Sequence, residues 1–125
     1  MIIHDSPVAR KTIGCAIEVH KTLGPGLLES VYEQCLAREL AAAGLTFQRQ
    51  RRLPLRYRDL ELDAACRVDF VIDGILLIEV KSVEQLLSVH TAQVLTYLKL
   101  LDLHDGLLIN FNVPLLVQGI RSIVR

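Results

Sequence analysis

Val68-Asp69-Phe70-Val71-Ile72-Asp73-Gly74-Ile75-Leu76-Leu77-Ile78-Glu79-Val80-Lys81 reads as two apolar strands around a turn. It places one acid in the first strand, and an acid and a lysine in the second. Ionised side chains enter a buried strand only when something pairs with them or uses them. A divalent metal with a phosphodiester beside it would do both.

Asp73-Gly74 is a hairpin signal. Glu79 and Lys81, two residues apart, share one face of a strand. A plain two-residue loop would pair Ile72 with Ile75 and send Asp69 and Glu79 to opposite faces. An odd-length loop, or a bulge at Gly74, reverses that parity. Val68, Phe70 and Ile72 would then join Leu76, Ile78 and Val80 on one apolar face, with Asp69, Glu79 and Lys81 together on the other. The odd parity is expected, because it satisfies a buried sheet and a charged site at once.

Working outward, Val8 to Leu23 carries Ile13, Ile17 and His20 on one helical face. Gly24-Pro25-Gly26 breaks that helix, and a second is expected to begin there and run to about Ala43, with Gly44 as its stop. Thr46 to Arg58 reads as extended, interrupted by Pro54. After the hairpin, Glu84 to Leu103 is the clearest amphipathic helix. His104-Asp105-Gly106 is a turn, and Leu107 to Asn112 and Leu115 to Val124 read as strands. The order α-α-β-β-β-α-β-β predicts an α/β fold, a central mixed β-sheet flanked by helices. The helix after Lys81 would cross over to the Leu107 strand. The chain, 1–125, reads as a single domain.

The 14 basic and 14 acidic side chains balance, so overall charge gives nucleic-acid binding no support and any such surface must be local. Cys15, Cys35 and Cys66 have no metal-ligand spacing and suggest a reduced, cytoplasmic protein. No apolar run approaches membrane-span length, and the N-terminus lacks a signal-peptide core, so no membrane association is expected. Three Phe, three Tyr and no Trp leave little for a stacking platform on single strands.

Two carboxylates near one strand end suit Mg2+ or Mn2+. Asp69 and Glu79 are the expected ligands, with the main-chain carbonyl of Val80 a further one. Lys81 would hold the attacking water or offset charge on the phosphate. A structural ion pair is the competing explanation, although buried pairs are weak stabilisers and a poor reason to keep three charges there. Glu29 lies within about 20° of Leu36 and Leu40 on the second helix, in line with core leucines rather than on a solvated face. Its competing explanation is a first-turn acid favouring the helix dipole.

The Asp-x9-Glu-x-Lys pattern of Asp69, Glu79 and Lys81, in this element order, resembles the PD-(D/E)XK nuclease superfamily, with Val68 where a proline often stands. Gly26-Leu27-Leu28-Glu29-Ser30-Val31-Tyr32 resembles the GxxExxY signature of a small bacterial family within it, and Val19-His20, Leu23-Gly24-Pro25-Gly26 and Gln93 fit as well. The resemblance implies a restriction-endonuclease-like core, with Glu29 completing the metal shell directly or through water. Gln93 and Tyr97, one turn apart, resemble a QxxxY element that orders the active site and contacts nucleic acid. Alternatively they are core polar groups satisfied by backbone bonds. His90 reads as a satisfied, half-buried histidine, and His20 is given no part in the reaction.

Arg49, Arg51, Arg52, Arg56 and Arg58 form the basic cluster. They could track a phosphate backbone or protect an edge strand from aggregation, and both readings stand. The expected function is metal-dependent hydrolysis of nucleic-acid phosphodiesters, with DNA the expected substrate. Glu29, Asp69, Glu79, Lys81, Gln93 and Tyr97 would form the site. The alternative is a non-catalytic module binding nucleic acid or a partner on the same fold. Small size favours that alternative; a homodimer through the apolar C-terminal strand would relieve the shortage of surface.

Overall fold

The computed structural model describes residues 6–62 and 66–125. Helix α1 spans Pro7–Leu23 and α2 spans Glu29–Ala42. Strand β1 (Phe47–Arg52) is followed by a small hairpin, β2 (Leu55–Tyr57) and β3 (Leu60–Leu62). Strands β4 (Arg67–Ile72) and β5 (Leu76–Lys81) lead to helix α3 (Ser88–Leu101). Strand β6 (Asp105–Asn110), a 3-10 turn at Leu116–Gly119 and strand β7 (Ile120–Val124) complete the fold. The main sheet has the order β1-β4-β5-β6-β7. Its pairs are antiparallel except β5 with β6, which run parallel across the α3 crossover, as expected.

Each face of the sheet buries its own apolar set. Phe70, Ile72, Leu76, Ile78, Val80, Leu107 and Ile109 meet Ala16, Val19, Tyr32, Leu36 and Leu40 of α1 and α2. Val71, Leu77 and Leu108 meet Val94, Tyr97 and Leu98 of α3. A sheet buried on both faces explains the nearly continuous apolar runs of β4, β5 and β6.

The hairpin has the odd parity. Asp73 and Gly74 both take positive φ (54° and 70°), Ile75 N–H bonds the Ile72 carbonyl at 3.0 Å, and Ile72 then pairs with Leu76. One residue beyond the tight turn is therefore left out of the ladder. Val68 departs from expectation by packing with the α3-side cluster. The β4–β5 ladder ends at Phe70–Ile78, so Val68 lies where β4 has left β5.

Other boundaries shift for local reasons. Helix α1 starts as read: Ser6 caps it by accepting from Ala9 N–H at 3.3 Å, and Pro7 sits in the first turn. Helix α2 begins at Glu29 rather than at Pro25, because Gly24 and Gly26 hold φ of 72° and 96°, outside the helical region. Helix α3 begins at Ser88 rather than Glu84, because the preceding segment is tied to β6: Asn110 Oδ1 accepts from Val83 N–H (3.0 Å) and its amide donates to the Val83 carbonyl (2.9 Å). The extended stretch Thr46 to Arg58 divides into β1 and β2, and β2 turns through Arg58-Asp59 onto β3. The C-terminal stretch is part 3-10 turn and part strand.

Gly119 passes against β6 so closely that a Cβ there would stand 2.1 Å from the Asn110 carbonyl oxygen. Gly119→Ala is expected to cost about 2 kcal/mol by forcing backbone apart, a loss that a urea unfolding midpoint will read. Among the described residues no helix is long and apolar enough to cross a membrane.

Candidate active site

The acids lie where the β4–β5 ladder stops. Beyond Phe70–Ile78 the side chains take over from main-chain pairing. Asp69 N–H donates to Glu79 Oε1 at 3.0 Å, and Val80 N–H donates to Asp69 Oδ2 at 2.8 Å. Each carboxylate thus replaces a backbone acceptor of the other strand. The strands stay coupled and the two acids are fixed face to face. The odd turn makes this possible, because it sets Asp69 across from Glu79.

Glu79 is 5% exposed. Burial, and then the negative charge of Asp69, push its carboxyl up to about 8; the Asp69 N–H bond and Lys81 act in the opposite direction. Burial also pushes Asp69 up to about 6, against the Val80 N–H bond and with the help of the Glu33 charge. Two desolvated carboxylates that oppose each other's ionisation form a donor set suited to a hard cation, which would relieve both effects.

Among the described residues, no group of three or more His, Cys, Asp or Glu side chains stands together as a metal shell. Of the expected ligands Glu29, Asp69 and Glu79, hydrogen bonds bring Asp69 and Glu79 together. Asp69 and Glu79 are the pair. Glu29, exposed at the first residue of α2, accepts instead from Ser82 N–H at 3.3 Å. Two carboxylates still fit Mg2+, which keeps several waters and uses few protein ligands. Glu29 remains beside them, lining a cleft of about 270 Å3 with Ser30, Glu33, Gln50, Asp69 and Val80. Larger hollows between α1 and α2 (about 440 Å3) and beside the β2–β3 hairpin (about 730 Å3) contain neither sheet acid.

The GxxExxY residues hold Glu29 in place. Tyr32, wholly buried, stacks on Phe111 with centroids 4.6 Å apart. Its hydroxyl donates to the Gly24 carbonyl (2.6 Å) and accepts from Leu27 N–H (3.1 Å), which pins the loop before α2. Ser82 Oγ donates to the Leu27 carbonyl at 2.5 Å, so the same loop is clamped to the residue after Lys81. The Lys81 main chain is fixed in turn, pairing with Asn110 and accepting from Phe111 N–H at 2.9 Å. Its side chain is half-buried, and its charge acts on Glu79.

On α3, Tyr97 is buried and reaches the site. Its phenol is pushed up to about 12 by burial, and then by Glu79, Cys66 and Asp69. It therefore stays a neutral hydrogen-bond donor. Gln93 is half-buried one turn earlier. His90 accepts from Leu87 N–H at 2.9 Å and caps α3, and His20 Nε2 lies 2.8 Å from the Val113 carbonyl. Both histidines are satisfied.

Arg49, Arg51 and Arg52 lie on edge strand β1, and Arg56 and Arg58 lie on or beside the hairpin. Arg49 is ion-paired with Glu33 at 2.6 Å, and Arg51 donates to Gln48 at 3.1 Å.

Glu33, Gln50, Ser82 and Asn110 also shape the site, beyond the residues expected from the sequence. Glu33 had a signal, since it stands four residues after Glu29 on the same helix face. The others are recognisable only through partners 17 to 55 residues away.

A mixed five-stranded sheet between α1–α2 and α3 is a restriction-endonuclease-like α/β fold. The chain belongs to the PD-(D/E)XK nuclease superfamily, whose family model matches residues 6–123. No curated protein matches it, and no solved structure does.

Proposed function

We propose that the protein is a divalent-metal-dependent nuclease that hydrolyses nucleic-acid phosphodiester bonds, with DNA as substrate, on the GxxExxY variant of the superfamily site. The observation that carries this reading is the reciprocal seating of Asp69 and Glu79 at the end of the β4–β5 ladder, two residues before Lys81. Asp69, Glu79 and the Val80 carbonyl would hold Mg2+ or Mn2+, with Glu29 reached through water. When bound, such a cation polarises a phosphoryl oxygen and acidifies a coordinated water. Lys81 orients the attacking water and offsets charge on the phosphate as it becomes pentacoordinate. Tyr97, buried and within electrostatic reach of Glu79 and Asp69, and Gln93 one turn earlier would support the site. The free thiols of Cys15, Cys35 and Cys66 accord with a reducing, cytoplasmic setting.

One assay tests this. Purified protein is incubated with single-stranded DNA, duplex DNA and RNA, with Mg2+ or Mn2+, beside Asp69→Ala and Lys81→Ala. Cleavage lost in both variants supports the enzyme; binding without metal-dependent cleavage supports a non-catalytic module. The second sheet edge, β7, is where a second copy would add surface.

The arginines carry their own prediction. Arg51→Ala and Arg52→Ala are each expected to flatten the log–log salt dependence of DNA binding by about one unit of slope. A slope unchanged in both variants assigns them to edge protection.

A further inference from the structure

Gln50 lies in the middle of β1 with φ of 51°, in the left-handed region that a residue bearing a Cβ occupies only under constraint. Strands β1 and β4 pair on either side of it, Arg49 with Phe70 and Arg51 with Val68, yet Gln50 and Asp69 form no ladder pair. The Gln50 side chain faces Asp69 instead. Its Nε2 donates to Asp69 Oδ1 at 3.1 Å and also to Glu33 Oε1. The other Glu33 oxygen accepts from Arg49.

We propose that Gln50 is a positioning residue that orients Asp69 for the divalent cation, and that Glu33, held by Arg49, orients Gln50 in turn. The inference rests on the metal-dependent reading above. A carboxylate rotates broadly about its last torsion. Val80 N–H fixes Oδ2, and the Gln50 amide, arriving from the neighbouring strand, fixes Oδ1. Each oxygen keeps a lone pair for an ion. The amide is neutral, so it directs Asp69 without competing with a cation for it; Lys or Arg at this position would compete. Both amide hydrogens are used, one on each carboxylate. The left-handed backbone delivers that amide to the gap between α2 and β4.

The test measures Mn2+ affinity by calorimetry without nucleic acid, beside the melting temperature in chelator. Gln50→Gly is expected to weaken Mn2+ binding about ten-fold, as loss of a partner that orients a ligand does. Its melting temperature is expected to hold or rise, because glycine accepts the left-handed backbone. Gln50→Ala is expected to lose the same affinity without the thermal gain, and Glu33→Ala to weaken binding in the same direction. A merely structural residue would move affinity and melting temperature downward together; that outcome, or unchanged affinity in Gln50→Gly, overturns the proposal. Asp69→Ala separates the two claims. Wild-type binding that is absent in Asp69→Ala but intact in Gln50→Gly sinks the role of Gln50 alone. Wild-type binding no tighter than that of Asp69→Ala sinks the metal reading, and this inference with it.

Discussion

Asp69→Asn and Lys81→Ala are each expected to lower the proposed metal-dependent cleavage by at least about 1,000-fold, the scale expected when a charged group acting on the reacting phosphate is removed. The two variants should fail differently. Asp69→Asn keeps an oxygen to accept from Val80 N–H, so the β4–β5 junction survives. It also removes a charge that burial opposes. Its melting temperature in chelator should therefore equal or exceed that of the parent, while Mn2+ affinity falls. Lys81→Ala leaves both carboxylates in place and removes the cation that favours ionisation of Glu79. It should retain metal binding and lose turnover. Single-turnover cleavage beside calorimetric Mn2+ titration separates the two. Full cleavage by either variant removes that residue from the reaction.

The second large effect is on stability. The Glu79 carboxyl is raised from its ordinary 4.5 to about 8. The folded protein therefore binds this proton more tightly than the unfolded chain. The resulting stabilisation is fully present below about pH 4.5 and is lost as pH rises to about 8. Asp69, raised from 3.8 to about 6, acts in the same direction over a lower window. In chelator, the parent should lose on the order of 3 kcal/mol from this pair between pH 5 and 8. For a domain of this size that corresponds to roughly 10 °C of melting temperature. Glu79→Gln keeps an oxygen for Asp69 N–H and cannot ionise, so it should melt higher than the parent at pH 8 and match it near pH 5. Mg2+ should stabilise the parent increasingly as pH rises and leave Glu79→Gln little changed, because under the proposed function the cation would bind the ionised pair. Thermal melts at four pH values, with chelator or with Mg2+, read both trends. A difference between parent and variant that does not grow with pH would show that Glu79 is ionised at little cost. Both predictions follow from one property: the fold holds two acids together that, without a cation, oppose its stability.

The hairpin parity was legible because only one arrangement gathers Phe70, Ile72, Leu76, Ile78 and Val80 onto a common face, and burial penalises the other. The helix-forming stretches were legible from their periodicity, and the crossover from the apolar character of the strands it joins. The β2–β3 hairpin was not. It turns through Arg58-Asp59, which lacks the Asn-Gly or Asp-Gly chemistry that marks tight turns, and Arg58 takes its left-handed φ of 55° without being glycine. The start of α2 was misplaced because Pro25 favours a first helical turn, while the flanking glycines hold the chain outside the helix. Glu29 was legible as an acid in line with core leucines. Its neighbour Glu33, on the same helix face, was passed over although it stands closer to the hydrogen bonds of Asp69.

Pattern along the chain was enough to indicate the mixed sheet flanked by helices and the facing of Asp69 and Glu79 on adjacent strands, because these follow from side-chain alternation and from the cost of burying charge. Only the folded molecule decided how that pair is held. The main-chain donors of Asp69 and Val80, the Gln50 amide with Glu33 behind it, and the Ser82 and Asn110 clamps come from segments distant in sequence, and a hydrogen bond depends on where its partner arrives in space. For the same reason Glu29 is placed by tertiary contacts, lining the cleft with Asp69 and accepting from Ser82 N–H. Periodicity puts Glu29 in line with core leucines, but the exposed carboxylate takes its position from the loop that Tyr32 and Ser82 pin.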